Sequence, residues 1–394
     1  MAADATRQPQ PTRFLWLFAL AWAGGSIAYV PFLTLLLPLR ILALAGPDSV
    51  SVLARITFFG AIAASSGNIL FGWFSDRTGV RRPWVAAGLV ISSLLLITMP
   101  LLQDVSAILL VVMLWQLALN MMLGPLWAWA ADMVPRESTG LVGGLMSFAP
   151  SAGALAGVIV TIPGFATFDQ RFLLIALMVA ASVAPVLLMV SSKPPQVSQI
   201  PATPTTVSAT GSSIILMWFA RLLLQIAEAT LFAYLLLYFI SIDPNVAENR
   251  VAALFGCVLV VAIPLALLSG RWADKTGRPI RPLALLASVA AIGLIALTAA
   301  STVAEASIAY VAFGVATNAF LSLHSGQTLR VLSSPNHRGR DLGLFNLTNT
   351  IPSLIMPWLT ILLVPRHGFS ALFLLLSLLA ICSAVLLFSI KRLD

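Results

Sequence analysis

Three polar residues lie close together in an apolar stretch of the second half of the chain. Arg221, Gln225 and Glu228 are spaced i, i+4 and i+7 within the run IILMWFARLLLQIAEATLFAYLLLYF. At about 100° per residue, this spacing places all three side chains on one face of a helix. Arg221 and Glu228 are then about 10 Å apart along the axis, so Gln225 or groups on other helices are needed to bridge them.

This face could bind a solute or exchange a proton if the helix crosses a membrane. A charged residue near the middle of such a helix costs roughly 2.5 to 3.5 kcal/mol, so an unpaired Arg and Glu together cost on the order of 5 to 7 kcal/mol. We expect Glu228 to take up and release a proton, with Arg221 tuning its proton affinity or binding substrate. The alternative is a static polar clasp between helices, and the sequence leaves both open.

The amino-acid composition is typical of an integral membrane protein. Of 394 residues, 59% are hydrophobic and the mean hydropathy is +0.99, far above the roughly half-apolar usage of soluble globular chains. Apolar runs of about twenty residues, enough to cross a ~30 Å hydrocarbon core, recur along nearly the whole length. We therefore predict an all-α integral membrane protein rather than a β-barrel, whose strands would alternate in polarity over about ten residues.

The apolar runs predict twelve transmembrane helices in two groups of six. The predicted spans are 14–38, 52–74, 84–102, 106–130, 139–161, 171–190, 213–239, 250–269, 283–301, 306–329, 341–363 and 370–390. Between the groups, residues 191–212 are rich in Pro, Ser and Thr, which is typical of a flexible tether. We expect an N-terminal bundle over 1–190, this linker, and a C-terminal bundle over 213–394.

The distribution of Lys and Arg predicts the orientation. An even number of spans puts both termini on one side, and sixteen Lys and Arg residues fall on that side against five on the other, with Arg221 inside a span. The positive-inside rule then places both termini, the linker and the charged loops in the cytoplasm. The net charge of +8 reflects this topology, and we expect no nucleic-acid partner.

Two charged loops repeat at equivalent places in the two halves. GWFSDRTGVRRP, starting at Gly72, corresponds to GRWADKTGRPIRP, starting at Gly270, with an offset of 198 between Asp76 and Asp274. A second loop pair aligns Pro135 with Pro335 at an offset of 200. The two pairs indicate a parallel duplication related by an axis along the membrane normal.

On these residues the chain resembles the major facilitator superfamily of transporters over nearly its full length. The glycine, aspartate and basic positions of the family's loop between its second and third helices are matched in both halves. They are Gly72, Asp76, Arg77, Gly79, Arg81 and Arg82 in the first half, and Gly270, Asp274, Lys275, Gly277 and Arg278 in the second. The resemblance implies twelve helices in two six-helix bundles related by pseudo-two-fold symmetry.

The resemblance also implies a role for these loops at the cytoplasmic gate. In the family this loop latches the gate by bonding to a neighbouring loop or helix end when the protein opens outward. By that analogy Asp76 and Asp274 are latch residues, and Arg136 and Arg338 are their candidate partners. We expect the glycines to allow close approach, and each Asp to cap a helix or to receive an Arg. The alternative is that the charges only fix topology.

The family's first, fourth, seventh and tenth helices line its central cavity, which implies further site residues here. The candidates are Trp22, Ser26 and Tyr29 in the first span, Gln116 and Asn120 in the fourth, and Asn318, Ser322 and Ser325 in the tenth. Each set has the helical spacing of one face. Bonding within the helix is at least as plausible for any single Ser or Asn, and we expect Asn346 and Asn349 in the eleventh span to be structural.

The subfamily indications point in different directions. SDRTGVRRP, ending at Pro83, is similar to the Arg-Arg-Pro ending of sugar-cation symporters, whereas APSAGA at 149–154 is a degraded form of an antiporter motif. The fourth span lacks the Arg that antiporters of the family often carry. We therefore expect a proton-coupled symporter of a small polar solute. The alternatives are a proton-antiport exporter of amphipathic compounds and a non-transporting membrane sensor.

No pattern in the sequence indicates an enzyme. His324, His337 and His367 lack a metal-ligand spacing, and no phosphate-binding Gly-Lys-Ser/Thr loop is present to drive transport with ATP. We expect no catalytic residue, metal or cofactor. The expected partners are a small-molecule substrate, a proton and the lipid bilayer, and we expect a monomer in a bacterial inner membrane.

Overall fold

The protein is helical throughout the described part of the chain. The computed structural model describes residues 12–133, 149–190, 211–276, 280–331 and 338–390. In these ranges the regular elements are helices and no β-strand is present. The all-α prediction is therefore confirmed.

The α-helices follow one another with short connections. In chain order they are α1 (Thr12–Pro31), α2 (Leu37–Ala45), α3 (Ser49–Thr78), α4 (Arg82–Thr98), α5 (Val105–Met133), α6 (Ala149–Val160), α7 (Phe168–Met189), α8 (Gly211–Ile242), α9 (Glu248–Thr276), α10 (Ile280–Ala299), α11 (Val303–Val331) and α12 (Arg338–Phe388). A π-helix (Phe32–Leu36) joins α1 to α2, and 3-10 turns follow α2 (Gly46–Asp48) and α4 (Met99–Leu101).

The described residues contain nine apolar helical stretches long enough to cross a membrane, one of which runs through α1, α2 and α3, and Ala149–Val160 is a shorter apolar helix. Two of the nine are long enough for two crossings, Leu15–Thr78 with 64 residues and Leu347–Phe388 with 42. The protein is therefore a multi-pass integral membrane protein.

One predicted helix boundary is confirmed by the structure and another is wrong. The predicted break between 363 and 370 is confirmed, since α12 is interrupted at Gly368, whose φ of 72° and ψ of 178° are not helical. The predicted end of the first span at residue 38 is wrong. Pro38 directly follows the π-helix Phe32–Leu36, and the chain stays helical to Ala45. Most of the predicted linker, and the start of the predicted span 139–161, lie outside the described residues.

The chain divides into two compact units. The first unit contains Met1–Phe32, Ala63–Leu102 and Leu110–Ile200, and the second contains Leu33–Ile62, Gln103–Leu109 and Pro201–Asp394. The second unit therefore includes a segment from the first half of the sequence.

Glycines let the helices of the first unit approach closely. α1 packs against α6 and α7, and α4 packs against α7. A methyl group placed at Gly153 would lie 2.7 Å from the backbone oxygen of Ser26, and one at Gly88 would lie 2.8 Å from the backbone oxygen of Ala118. Such contacts between small residues are how membrane helices pack without a hydrophobic driving force.

The second unit is organised around α8, α10 and α12. α12 packs against both α8 and α10, and α11 packs against α9 and α10. The segment Leu33–Ile62 joins this unit through α3. There Thr57 Oγ1 lies 3.3 Å from the hydroxyl of Tyr234, and the ring of Phe58 meets that of Trp358 at 5.3 Å.

Candidate functional site

Arg221 is the centre of a polar cluster in the second unit. Its Nε donates to Thr348 Oγ1 at 3.1 Å, its Nη1 donates to the Leu321 carbonyl at 3.3 Å and to Ser325 Oγ at 3.1 Å, and its Nη2 donates to Asn349 Oδ1 at 3.3 Å. These acceptors belong to α11 and α12, so one side chain of α8 joins three helices. All four acceptors are neutral.

The local sequence of α8 explains why this face is turned inward. Ile215 and Phe219 are 57% and 47% exposed, and large apolar side chains of a membrane protein are free to face lipid. At about 100° per residue, Arg221, Gln225 and Glu228 lie about 180° to 240° around the helix from Phe219. The apolar side is thus exposed, and the polar side faces the other helices of the unit.

Gln225 and Glu228 make no side-chain hydrogen bond to the described residues, in contrast to Arg221. Gln225 is only 9% exposed and its Oε1 is buried without a partner, which is uncommon because buried polar groups are normally hydrogen-bonded. Glu228 is half-buried, and it forms no ion pair with Arg221 over the described chain. The prediction that Arg221 and Glu228 are not direct neighbours is consistent with this geometry.

His324 lies next to the cluster on α11. It is fully buried, its ring packs 5.5 Å from that of Phe320, and its Nε2 lies 3.0 Å from the carbonyl oxygen of Met217 on α8. A carbonyl only accepts, so this nitrogen carries a proton and donates it. The sequence located His324 near the end of a span but gave no reason to place it beside Arg221.

The other candidates on the tenth predicted span bond mainly within their own helix. Asn318 Nδ2 donates to the Gly314 carbonyl at 2.9 Å, and Ser322 Oγ donates to the Asn318 carbonyl at 2.9 Å. Of this set the structure brings only Ser325 to Arg221. Asn349, expected to be structural, also reaches Arg221.

Thr348 was not predicted at all. It stands one position before Asn349 in the polar run NLTNT, which was the available signal.

The first unit holds the other predicted stripe. Asn120 Nδ2 donates to the Gln116 carbonyl at 2.9 Å, and Asn68 Nδ2 lies 3.4 Å from Asn120 Oδ1. Trp22 packs against Trp127 with ring centroids 5.2 Å apart. Ser26 is buried, while Tyr29 and Gln116 are half-buried. This stripe is neutral, and part of it is already occupied by contacts within the unit.

The first of the two repeated loops is well defined. Arg81 forms an ion pair with Asp76 and donates to Ser75 Oγ at 2.7 Å. Asp76 therefore pairs with an Arg, which is one of the two predicted alternatives. It lies in the last turn of α3 and does not cap α4, since the N-cap residue of α4 is Arg81. Arg77 lies over the ring of Trp73 at 5.5 Å. Arg82 begins α4 and is half-buried.

The glycines of this motif have different roles. Gly79 adopts a φ of 66°, which favours glycine, between α3 and α4. A methyl group placed at Gly72 or at its counterpart Gly270 would meet no described atom within 4 Å. Gly72 nevertheless lies close to α5, since a methyl group added at Gly124 would be 3.8 Å from the Gly72 backbone nitrogen.

The second loop is only partly described. Gly270 and Lys275 lie near the end of α9, and Lys275 is exposed. Asp274 and Arg338 lie on helices, but their side chains are outside the described part, as are Gly277, Arg278 and Arg136 altogether. No group of three or more His, Cys, Asp or Glu side chains that could bind a metal occurs within the described ranges.

Comparisons with known proteins agree with this architecture. Residues 217–393 match the sequence model of the Major Facilitator Superfamily. A bacterial homologue of the human lysosomal transporter Spinster, in an inward-facing and occupied conformation, is similar with a TM-score of 0.74 and 12% identity over 98% of both chains. No curated protein matches the sequence.

Two further solved structures are similar over most of their length. The peptide transporter POT in complex with sulfate gives a TM-score of 0.74 at 15% identity, over 98% of this chain and 95% of that one. The nucleoside transporter NupG gives 0.71 at 14% identity, over 96% of this chain and 100% of that one. At these identities the similarity shows the fold.

Proposed function

We propose that this chain is a secondary active transporter of the major facilitator superfamily, which moves a small polar solute by alternating access and couples this movement to protons. The match of residues 217–393 to that family's sequence model and the fold shared with solved transporters support this proposal. Glu228 carries the proton, and the polar face of α8 contributes to solute binding. The neutral stripe formed by Trp22, Ser26, Tyr29, Gln116 and Asn120 contributes contacts from the first unit.

The observation that carries the proposal is the unequal engagement of Arg221 and Glu228. Arg221 is held in position by four neutral acceptors, which fix its geometry without neutralising its charge. Glu228 has no such partner over the described part of α8 and its neighbours, although an ionisable group inside a span is costly unless it has a function or a partner. A carboxyl group free of a clasp can gain and lose a proton without breaking helix contacts.

The proposal includes the membrane arrangement and the gate. The protein sits in a bacterial inner membrane with both termini and the linker 191–212 in the cytoplasm. The bundles 1–190 and 213–394 rock against each other, and the two charged loops, with Asp76 and Asp274, latch the cytoplasmic gate. The protein works as a monomer without a cofactor.

A transport assay tests the coupling. The purified protein is reconstituted in liposomes with an imposed pH gradient, and uptake is followed for a panel of radiolabelled sugars, organic acids, amino acids and cationic drugs. We expect gradient-driven accumulation of one polar solute class. Glu228→Gln is expected to abolish accumulation above equilibrium while solute exchange across the membrane continues.

A second glutamate provides the matched control. Glu305 lies at the exposed start of α11 and accepts hydrogen bonds there, so Glu305→Gln removes one carboxylate outside the site and is expected to leave accumulation intact. Full gradient-driven accumulation by Glu228→Gln would refute the coupling role. Uptake of amphipathic cations alone would favour the exporter alternative.

A further inference from the structure

Arg221 is a cation that forms no ion pair with the described residues. Its four hydrogen-bond acceptors are two hydroxyls, an amide and a backbone carbonyl. No carboxylate of the described chain lies within ion-pair distance of it. Neutral dipoles hold the guanidinium in position but leave its full charge inside a span, where charge is costly. The planar fork of Arg suits a carboxylate, which it can bind through two parallel hydrogen bonds.

The guanidinium is reachable from one side. Its Nε bonds to Thr348, which is fully buried. Its Nη groups bond to Ser325 and Asn349, which are both exposed. Four of the five N–H groups of an Arg are used in these bonds, so one N–H on Nη2 remains. An incoming anion would meet this open end first and could displace the hydroxyl of Ser325.

A second polar atom on the same face also lacks a partner. Gln225 Oε1 is buried without a hydrogen bond, one helical turn from Arg221. An unsatisfied buried acceptor is destabilising by itself, and a donor group on a bound solute would satisfy it. The unpaired Gln225 oxygen is an observation independent of Arg221, and it indicates a ligand site on the same face of α8.

We propose that the transported solute is a small monoanion, a monocarboxylate, that binds Arg221 and moves together with one proton on Glu228 without net charge movement. This inference rests on the transport function proposed above and names its substrate class.

The charges of the site favour this combination. With Arg221 charged and Glu228 ionised, the empty site is neutral. Adding a monoanion alone leaves one negative charge, and adding a proton alone leaves one positive charge. Adding both restores neutrality. Net charge is costly in a low-dielectric site, so the two neutral forms are the ones that reorient readily. A sugar or a zwitterion carried with a proton would leave one positive charge on the loaded site, so the empty and loaded sites would differ in net charge.

α8 and the helices packed against it carry other titratable groups. They are the phenols of Tyr234 on α8 and Tyr310 on α11, Arg40 on α2, the exposed thiol of Cys257 on α9, and His324. Phenols are neutral at pH 7, so Tyr234 and Tyr310 add no charge to the count. α12 contributes no titratable residue between Leu347 and Pro365. His324 is the one group that could replace Glu228 as proton carrier, so it is included in the test.

Binding is measured first, by thermal shift on the purified full-length protein. The probes are lactate, 3-hydroxybutyrate and gluconate as monoanions, β-alanine as a zwitterion, and lactamide and glucose as neutral solutes. We expect at least one monoanion to raise the melting temperature, more so at pH 5.5 than at pH 7.5, and lactamide, glucose and β-alanine to have no effect. In Glu228→Gln the same shift is expected at both pH values.

Two variants of Arg221 separate charge from geometry. Arg221→Gln is expected to lose the shift, and Arg221→Lys, which keeps the charge without the fork, is expected to bind at least tenfold more weakly than wild type. His324→Gln is expected to retain the pH dependence of the wild type. A pH dependence that disappears in His324→Gln and persists in Glu228→Gln would overturn the assignment of the proton.

Transport is measured next in liposomes, with the membrane potential clamped by potassium and valinomycin and the internal pH read by a trapped dye. Protein-free liposomes correct for passive entry of the undissociated acid. We expect one proton to enter per monoanion, and an uptake rate that changes less than twofold between 0 and −100 mV. Uptake that follows the voltage would overturn electroneutral symport.

The outcomes distinguish this inference from the proposed function. If β-alanine or glucose binds and is accumulated by the pH gradient while the monoanions are silent, proton-coupled transport stands and the monoanion assignment fails. If a monoanion is carried with no proton dependence, Arg221 keeps its role and the coupling fails. Silence of all three monoanions overturns the inference.

Discussion

The two units differ in how they use polar residues inside the membrane. The first unit's stripe is neutral, and Asn120 is tied to Gln116 and Asn68 at 2.9 and 3.4 Å. The second unit's stripe contains a cation held by four acceptors and an amide oxygen with none. The first arrangement is what helix association needs. The second leaves Gln225 Oε1 without a hydrogen bond to the described residues.

The comparison separates recognition of charge from helix packing. Side chains already bonded to neighbouring helices contribute to stability, and side chains without partners are available for function. This contrast supports the proposal that the α8 stripe recognises charge and exchanges the proton.

Close helix packing is a property that the two units share, and it gives the largest expected effect. A methyl group at Gly88 would collide with the backbone of Ala118, and one at Gly293 would lie 2.7 Å from the backbone nitrogen of Phe313. Gly88→Ala and Gly293→Ala are each expected to reduce stability by about 1 to 3 kcal/mol, because backbone cannot move aside easily. Unfolding of the two variants in detergent measures this. Destabilisation of only one of them would extend the difference between the units to their packing.

The two stripes should respond differently to apolar substitution. Gln225→Leu removes an amide that has no partner, so we expect unchanged or higher stability and roughly tenfold slower transport, equivalent to about 1.4 kcal/mol. Asn120→Leu removes side-chain hydrogen bonds as well as a proposed solute contact, so we expect lower stability in addition to slower transport. Melting temperature and transport rate are measured on both variants. The reverse pattern would contradict the division of roles.

The sequence predicts the fold better than the site, and particular residues show why. Hydrophobic runs and the Gly368 break depend on local composition, so the helices could be placed within a few residues. The face shared by Arg221, Gln225 and Glu228 follows from helical period alone. The partners of Arg221 depend on how α8, α11 and α12 pack, which one sequence does not show. Ser325 was predicted for another reason, Asn349 was expected to be structural, and Thr348 and His324 were not connected with Arg221 at all.

The repeated loop offers a smaller test of whether the halves are alike. Gly79→Ala places a side chain at a φ of 66°, and we expect a loss of about 1 kcal/mol. Gly72→Ala and Gly270→Ala are the controls, because both positions lie inside helices with open space, and alanine there is expected to be neutral or slightly stabilising. Thermal unfolding of all three is compared with that of Gly277→Ala. A Gly277→Ala variant as stable as wild type would mean that the second loop turns differently from the first.

The ion pair between Asp76 and Arg81 gives the smallest expected effect on stability. Its carboxylate side is 65% exposed, and exposed pairs contribute about 0.2 to 1 kcal/mol. A double-mutant cycle of Asp76→Ala and Arg81→Gln should therefore yield a coupling energy in that range.

Spin labels on the cytoplasmic loops report the inward and outward populations of the same variants. A latch contact exists in one conformation only and so biases the equilibrium between the inward and outward conformations. If the pair is a latch, Asp76→Ala must change the free energy of that equilibrium by more than it changes the free energy of unfolding. Unchanged populations would mean that the first loop has a structural and topological role and no role as a latch. The same measurement on Asp274 variants would decide whether the second loop behaves differently.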